Sequence, residues 1–179
     1  MLGTVRLRLL LCLIAVVDVP GDVGAQTAAS CRPPLRVQPA CPAGWQAWSV
    51  DCYRLSEAAV DWAGAGPACA RLSGRLAVPR SLAENEFLVD RLVPVEKSVW
   101  IDCNDIATEG DWVCNGRRGD AVPFWFWDDN QPNNHNIQNC AVLSRYWFSK
   151  HMWHDVQCHE QHRALCRRPI PISLRREAI

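Results

Sequence analysis

Along the 179-residue chain the spacing of apolar and polar positions changes repeatedly, and each change marks a different kind of segment. The first is an apolar run over residues 9–17, preceded by Arg6 and Arg8 and broken by Asp18 and Pro20. At about half the ~20 residues needed to span a bilayer, it reads as the centre of a secretory signal covering residues 1–25, with Val23-Gly24-Ala25 as a small-residue cleavage site. Residues 26–40 carry Pro and small residues with no apolar period, the composition of an extended linker. Folded character begins at Cys41, where two aromatic-bearing runs, at Cys41 to Trp45 and at Cys52-Tyr53, suggest a hairpin.

A helical pattern follows over residues 62–72 and stops near Gly74. Gly64, Gly66 and Pro67 are poor interior residues, so this helix is expected to start late, with Pro67 in its first turn, where a missing N–H costs nothing. A second helix is announced by Ser81-Leu82-Ala83-Glu84, a capping box ahead of Phe87, Leu88 and Leu92, in which the Ser and Glu side chains each satisfy an orphan backbone N–H. After Pro94 the pattern turns to short strand-like runs: Val99 to Ile101, Trp112-Val113, Phe124 to Trp127, Cys140 to Leu143, Met152-Trp153 and Ala164 to Cys166. Residues 128–139 are almost wholly polar. Two helices, many short strands and one long polar loop predict an α+β domain over residues 41–168, with function on the loop and residues 169–179 as a short charged tail. No segment after the leader is apolar enough to span a membrane.

Composition narrows the picture. With 49% hydrophobic residues and nine Trp, the chain can bury one substantial core. Nineteen basic residues balance nineteen acidic ones, so no overall field draws it to nucleic acid or acidic lipid, and binding must be local. Ten Cys less Cys12 in the leader leave nine, a density that in an exported chain means disulfides. No Cys-x-x-Cys spacing favours a metal site, and the odd count leaves one thiol without an intrachain partner. Cys31, on the linker, is placed for an intermolecular bridge and hence a disulfide-linked homodimer; capping by a small thiol or internal pairing are the alternatives. With neither a Gly-x-Ser-x-Gly elbow nor a phosphate-cradling Gly loop, the chain is read as a binding module, not an enzyme.

From Cys41 to Cys166 the chain resembles the C-type lectin-like domain family. The resemblance rests on ordered pieces: Cys41-Pro42-Ala43-Gly44-Trp45, Cys52-Tyr53, Trp62-Ala63 with Ala68-Cys69, Gly74 to Ala77, Val99-Trp100-Ile101, Asn104-Asp105, Glu109 to Trp112, Trp127, Gln131-Pro132-Asn133, Cys140, Trp153-His154-Asp155 with Cys158, and Cys166. It implies disulfides Cys69–Cys166, Cys140–Cys158 and Cys41–Cys52, leaves Cys103 and Cys114 for a further local bridge, and keeps Cys31 unpaired. It also implies carbohydrate binding at a calcium ion held by Gln131, Asn133, Gln138 and Asp155, with His154 where an oxygen-donating Asn is usual and Pro132 in the cis form. Gln131 and Gln138 are neutral where carboxylates are common, so calcium binding is expected to be weak or lost. Trp147, with Tyr146, can stack on the apolar face of a sugar or pack inward. The expected partners are glycans or glycoproteins outside the cell; the alternative is a calcium-independent protein-binding module of the same fold.

Two further motifs need a place. His151, His154, His159 and His162 crowd one stretch, although His159-Glu160-Gln161-His162 has its second His one residue too early for a zinc-protease motif. Arg118-Gly119-Asp120 follows Asn115-Gly116 in a polar turn region, as an adhesion tripeptide or simply a solvated turn.

Overall fold

A computed structural model describes residues 35–133, 137–146 and 151–176. In chain order the strands are β1 (Leu35–Pro39), β2 (Gln46–Trp48), β3 (Asp51–Val60), β4 (Arg75–Leu76), β5 (Ser98–Asn104), β6 (Val113–Cys114), β7 (Arg117–Arg118), β8 (Cys140–Ser144), β9 (Trp153–Val156), β10 (His162–Pro169) and β11 (Ile172–Arg176). Helix α1 (Trp62–Arg71) precedes β4, and α2 (Leu82–Arg91) follows it. The described residues divide into a small unit, residues 35–38 with 174–176, and a large one within residues 39–173. β1 and β11 form a two-stranded sheet, so the segments read as linker and tail each contribute a strand. The apolar-polar alternation of Leu35-Arg36-Val37-Gln38 and Ile172-Ser173-Leu174-Arg175 suits this pairing. The leader and Cys31 lie outside the described residues.

The large unit is a nine-stranded sheet ordered β2-β3-β10-β5-β6-β7, with β4 also on β10, β8 on β5, and β9 on β8. β10 runs antiparallel to β3 and parallel to β5. Its Ala164, Leu165 and Cys166 are all buried, as a strand covered on both faces requires. Side chains alternate across the strands and sort the core into two clusters. Tyr53, Ile101, Leu143 and Leu165 join Leu88 and Val89 of α2 in one cluster. Their chain neighbours Cys52, Trp100, Val142 and Cys166 join Ala65, Ala68 and Cys69 of α1 in the other. The period of two thus builds a helix-sheet-helix stack from one sheet.

Helix α1 begins earlier than its composition suggests. Asp61 is its N-cap and accepts the Gly64 N–H at 2.8 Å, so Pro67 lies inside the helix and not in its first turn. Tertiary packing outweighs the local penalty: Ala65, Ala68 and Cys69 are buried against the sheet, and small residues allow the close approach. The helix ends in a Schellman turn, with Gly74 N–H on Cys69 O at 3.0 Å, Ser73 N–H on Ala70 O at 2.9 Å, and Ser73 at φ 56°. Ser73, not Gly74, takes the left-handed position. Gly74 is needed for another reason: a Cβ there would meet Arg167 O at 2.9 Å.

Helix α2 keeps half of its capping box. Ser81 Oγ accepts the Glu84 N–H at 3.2 Å, but the Glu84 carboxylate reaches Arg80, not Ser81, accepting the Arg80 backbone N–H and its Nε at 3.0 Å each. The buried Tyr53 hydroxyl also donates to Glu84, which draws the carboxylate towards the sheet. Four disulfides join Cys41–Cys52, Cys69–Cys166, Cys103–Cys114 and Cys140–Cys158. No helix among the described residues is long and apolar enough to cross a membrane.

Candidate functional site

The polar loop is carried by β8 and β9, which pair antiparallel with Ala141 opposite Asp155 and Leu143 opposite Trp153. Along β9, Trp153 and Asp155 are buried while His154 and Val156 are half-buried, so Trp153 and Asp155 share a face. Trp153 Nε1–H donates to Asn85 Oδ1 at 2.8 Å, and Asn85 Nδ2–H donates to His151 O at 2.7 Å, tying the loop base to α2. Phe124, Trp125 and Trp127 pack their rings on Trp153 at 5.8, 6.4 and 5.9 Å between centroids. The segment from Phe124 to Trp127, expected to be a strand, forms only an isolated bridge between Trp127 and Trp153. Four successive aromatics have no apolar-polar alternation, and their half-buried rings are satisfied by one another and by Trp153.

Beyond Asp128 the chain turns tightly. Asp128 O accepts the Gln131 N–H at 2.9 Å, Asn130 sits at φ 63°, and the Gln131–Pro132 peptide is cis. The turn brings Asn133 to Asp155, through the backbone: Asn133 N–H donates to Asp155 Oδ2 at 2.9 Å. Around this turn the buried side-chain oxygens Gln131 Oε1, Asn139 Oδ1 and Asp155 Oδ1 have no hydrogen-bond partner among the described residues. A buried oxygen without a donor is costly, so three flanking one turn form a donor set suited to an electropositive ligand. Gln138 is half-buried in the segment entering β8.

The surroundings of Asp155 are acidic. Burial pushes its carboxyl above the usual range, the Asn133 N–H opposes this, and the charges of Asp105 and Glu109 add to the rise. Asp105, just past β5, is buried; its N–H donates to Asn139 O at 3.2 Å and its Oδ2 accepts the Gly110 N–H at 2.9 Å. The sequence reading used Asn104-Asp105 and Glu109 only as framework pieces and passed over Asn139. The available signal was a carboxylate directly after a strongly apolar strand, where burial concentrates its charge.

His154 is engaged elsewhere. Its Nε2 lies 3.1 Å from Asp128 Oδ2, and burial lowers its pKa against the opposing pull of Asp128. Asp128 Oδ1 accepts the Asp129 N–H at 2.8 Å, and Asp129 is exposed. Tyr146, half-buried, has its ring 6.5 Å from that of His154. Trp147 lies outside the described residues. Among the remaining His residues, His162 pairs with Glu160 at 3.1 Å and meets Trp100 edge-on. Among the described residues no group of three or more His, Cys, Asp or Glu side chains is arranged to hold a metal, so a cation at the loop would rely largely on amide and backbone oxygens. Arg118, Gly119 and Asp120 are exposed, and the Arg118 guanidinium is paired with Asp111.

Residues 58–168 match the family model described as the lectin C-type domain. The chain belongs to the C-type lectin family. This C-type lectin is 34% identical over 134 residues to lectin BRA-3 of Megabalanus rosa, the match covering 73% of the chain and 80% of that protein. It is 35% identical over 123 residues to C-type lectin domain family 3 member A of Bos taurus, covering 67% of the chain but only 60% of that longer relative. Among solved structures, the cow carbohydrate-recognition domain of CD23, determined in the presence of a GlcNAc2Man3 oligosaccharide, aligns with TM-score 0.64 at 27% identity over 75% of this lectin and 99% of that chain. The family is not one of enzymes.

Proposed function

We propose that this lectin binds carbohydrate outside the cell through the turn at Gln131, Pro132 and Asn133, together with Gln138 and Asp155, and that calcium strengthens the binding. The observation that carries the reading is the set of buried, unpartnered oxygens of Gln131, Asn139 and Asp155 beside the cis Gln131–Pro132 turn. Calcium takes about six to eight oxygens, and the residues that would hold it are Gln131, Asn133, Gln138 and Asp155; when bound it supplies a positive centre that sugar hydroxyls can ligate. The chain's own part is to hold those oxygens in place. β9 fixes Asp155, the Asn133 N–H orients one of its carboxylate oxygens, and Trp153 below anchors the strand. His154 supplies no oxygen, and with neutral Gln at 131 and 138 the site is weaker than a carboxylate-rich one. Four disulfides suit an oxidising, extracellular setting. The cow domain solved with oligosaccharide supports glycans or glycoproteins as partners.

Thermal melting with calcium against chelator tests this. Calcium at roughly ten times its Kd is expected to stabilise the fold by about 1.4 kcal/mol, a rise of a few degrees in the midpoint. Asp155→Ala should abolish that rise. An unshifted midpoint at millimolar calcium would remove the metal from the reading, and a glycan array with no signal would then favour a protein ligand.

The pH dependence has a defined sign. Because the native Asp155 carboxyl is raised, its contribution to stability is present below the ordinary Asp value of about 3.9 and is lost as pH rises through the raised value. Calcium requires the carboxylate, so proton and ion compete. The calcium-induced rise should therefore shrink on acidification before the ordinary Asp range is reached; a rise undiminished down to about pH 4 would contradict the assignment.

A further inference from the structure

A pocket of about 620 Å³ lies away from the polar loop, lined by Arg75 of β4, Arg80, Arg117 of β7 and Arg167 of β10, with Asp51 the acidic group among its lining residues. Val78, Val122, Pro123 and Ile170 supply apolar walls. Two of the four guanidinium groups are held by carboxylates. Arg80 is 2.8 Å from Asp51 Oδ2 and 3.0 Å from Glu84 Oε2, and Arg167 is 3.4 Å from Asp51 Oδ2. Arg75 faces the Coulomb field of Asp102, whose carboxyl is raised by burial and lowered by Arg75. Counting Asp51, Glu84 and Asp102 against the four Arg still leaves the surroundings positive in a chain whose net charge is zero. One donor is left over: the Nε–H of Arg167, on a side chain only 5% exposed, has no hydrogen-bond partner among the described residues. A pocket of ligand size with four guanidinium groups and one carboxylate among its lining residues calls for an anion.

We propose that this pocket binds an anionic group, sulfate, phosphate or carboxylate, carried on a sugar-sized ligand, with Arg167 and Arg80 as the fixed donors and Arg75 and Arg117 as the charges that draw it in. Guanidinium groups suit planar, paired contacts with such oxygens, and the apolar walls accommodate the remainder of the ligand. The pocket is independent of calcium, because none of its lining residues belongs to the loop site.

The test is calorimetric titration of the full chain, in chelator, with a sulfated disaccharide, its unsulfated parent and inorganic sulfate. The sulfated disaccharide should bind, its parent should not, and binding should weaken steeply as salt is raised from about 0.05 to 0.5 M. Arg117→Glu leaves the Arg80 and Arg167 contacts in place and should weaken binding about tenfold without moving the melting midpoint, while Arg75→Gln should weaken binding similarly and lower the midpoint slightly, because Asp102 loses its opposing charge. A phosphorylated disaccharide and a uronic acid in the same assay separate the three anion classes. Equal binding of sulfated and unsulfated sugars, no binding of any anionic probe, or affinity unchanged in both variants would overturn the proposal.

Discussion

Replacing Cys69 and Cys166 together by Ala is expected to lower stability by roughly 4–5 kcal/mol, much the largest loss from opening any of the four disulfides. The bridge joins α1 to the central strand β10 across 97 residues of sequence, so opening it frees most of the large unit to expand when unfolded. The other closures span 11, 11 and 18 residues, and the same chain-entropy estimate gives about 3 kcal/mol for each. A loss of this size approaches the lower end of the stability of a typical domain, about 5–15 kcal/mol. Urea unfolding of the double variant beside Cys41→Ala/Cys52→Ala measures the difference. An equal or smaller loss from the long closure would mean that the unfolded chain is already compact around β10.

Trp153→Ala should cost about 4 kcal/mol or more, because it removes a fully buried indole at the meeting point of Phe124, Trp125 and Trp127. It also leaves Asn85 Oδ1 buried without its donor. Trp153→Phe keeps most of the ring volume but not the N–H and should fall between the two. The loss should reach the loop as well, since the Trp153 backbone bonds Phe126 O and Asp128 N–H while Asp155 stands two residues further on. Any calcium-dependent rise in melting point should therefore weaken in the Phe variant. Denaturant unfolding that showed a cost below about 1 kcal/mol for the Ala variant would mean the aromatic cluster closes over the vacancy.

Much of the architecture was readable from chemistry spaced along the chain. The order of Cys, Trp and Gly pieces identified the family and its disulfides, and runs of aromatic and β-branched residues marked most of the central strands, β5, β8, β9 and β10, but not the short β4 and β7 or the β1–β11 pair. What failed was local propensity where the tertiary setting decides. Pro67 and two glycines argued for a late helix start, but Asp61 caps the earlier turn and the small residues fit against β10. Glu84 looked like the far half of a capping box, yet Tyr53 and Arg80, distant or outside the motif, claim its carboxylate. Around the loop, the sequence named Gln131, Asn133, Gln138 and Asp155 but could not show that Asn133 meets Asp155 by its backbone, or that His154 turns towards Asp128. Those outcomes depend on the path of the turn, which residue identities leave open. The basic pocket was invisible for the same reason, since its four Arg come from three separate stretches of a chain with no net charge.

Because Trp153 and Asp155 stand two residues apart on one face of a short strand, the indole that grips the interior and the carboxylate beside the cis turn belong to a single rigid piece. Asn130 to Asn133, beside that strand, belong to neither core cluster. Substitutions in that turn are therefore expected to leave the scaffold beneath as it is.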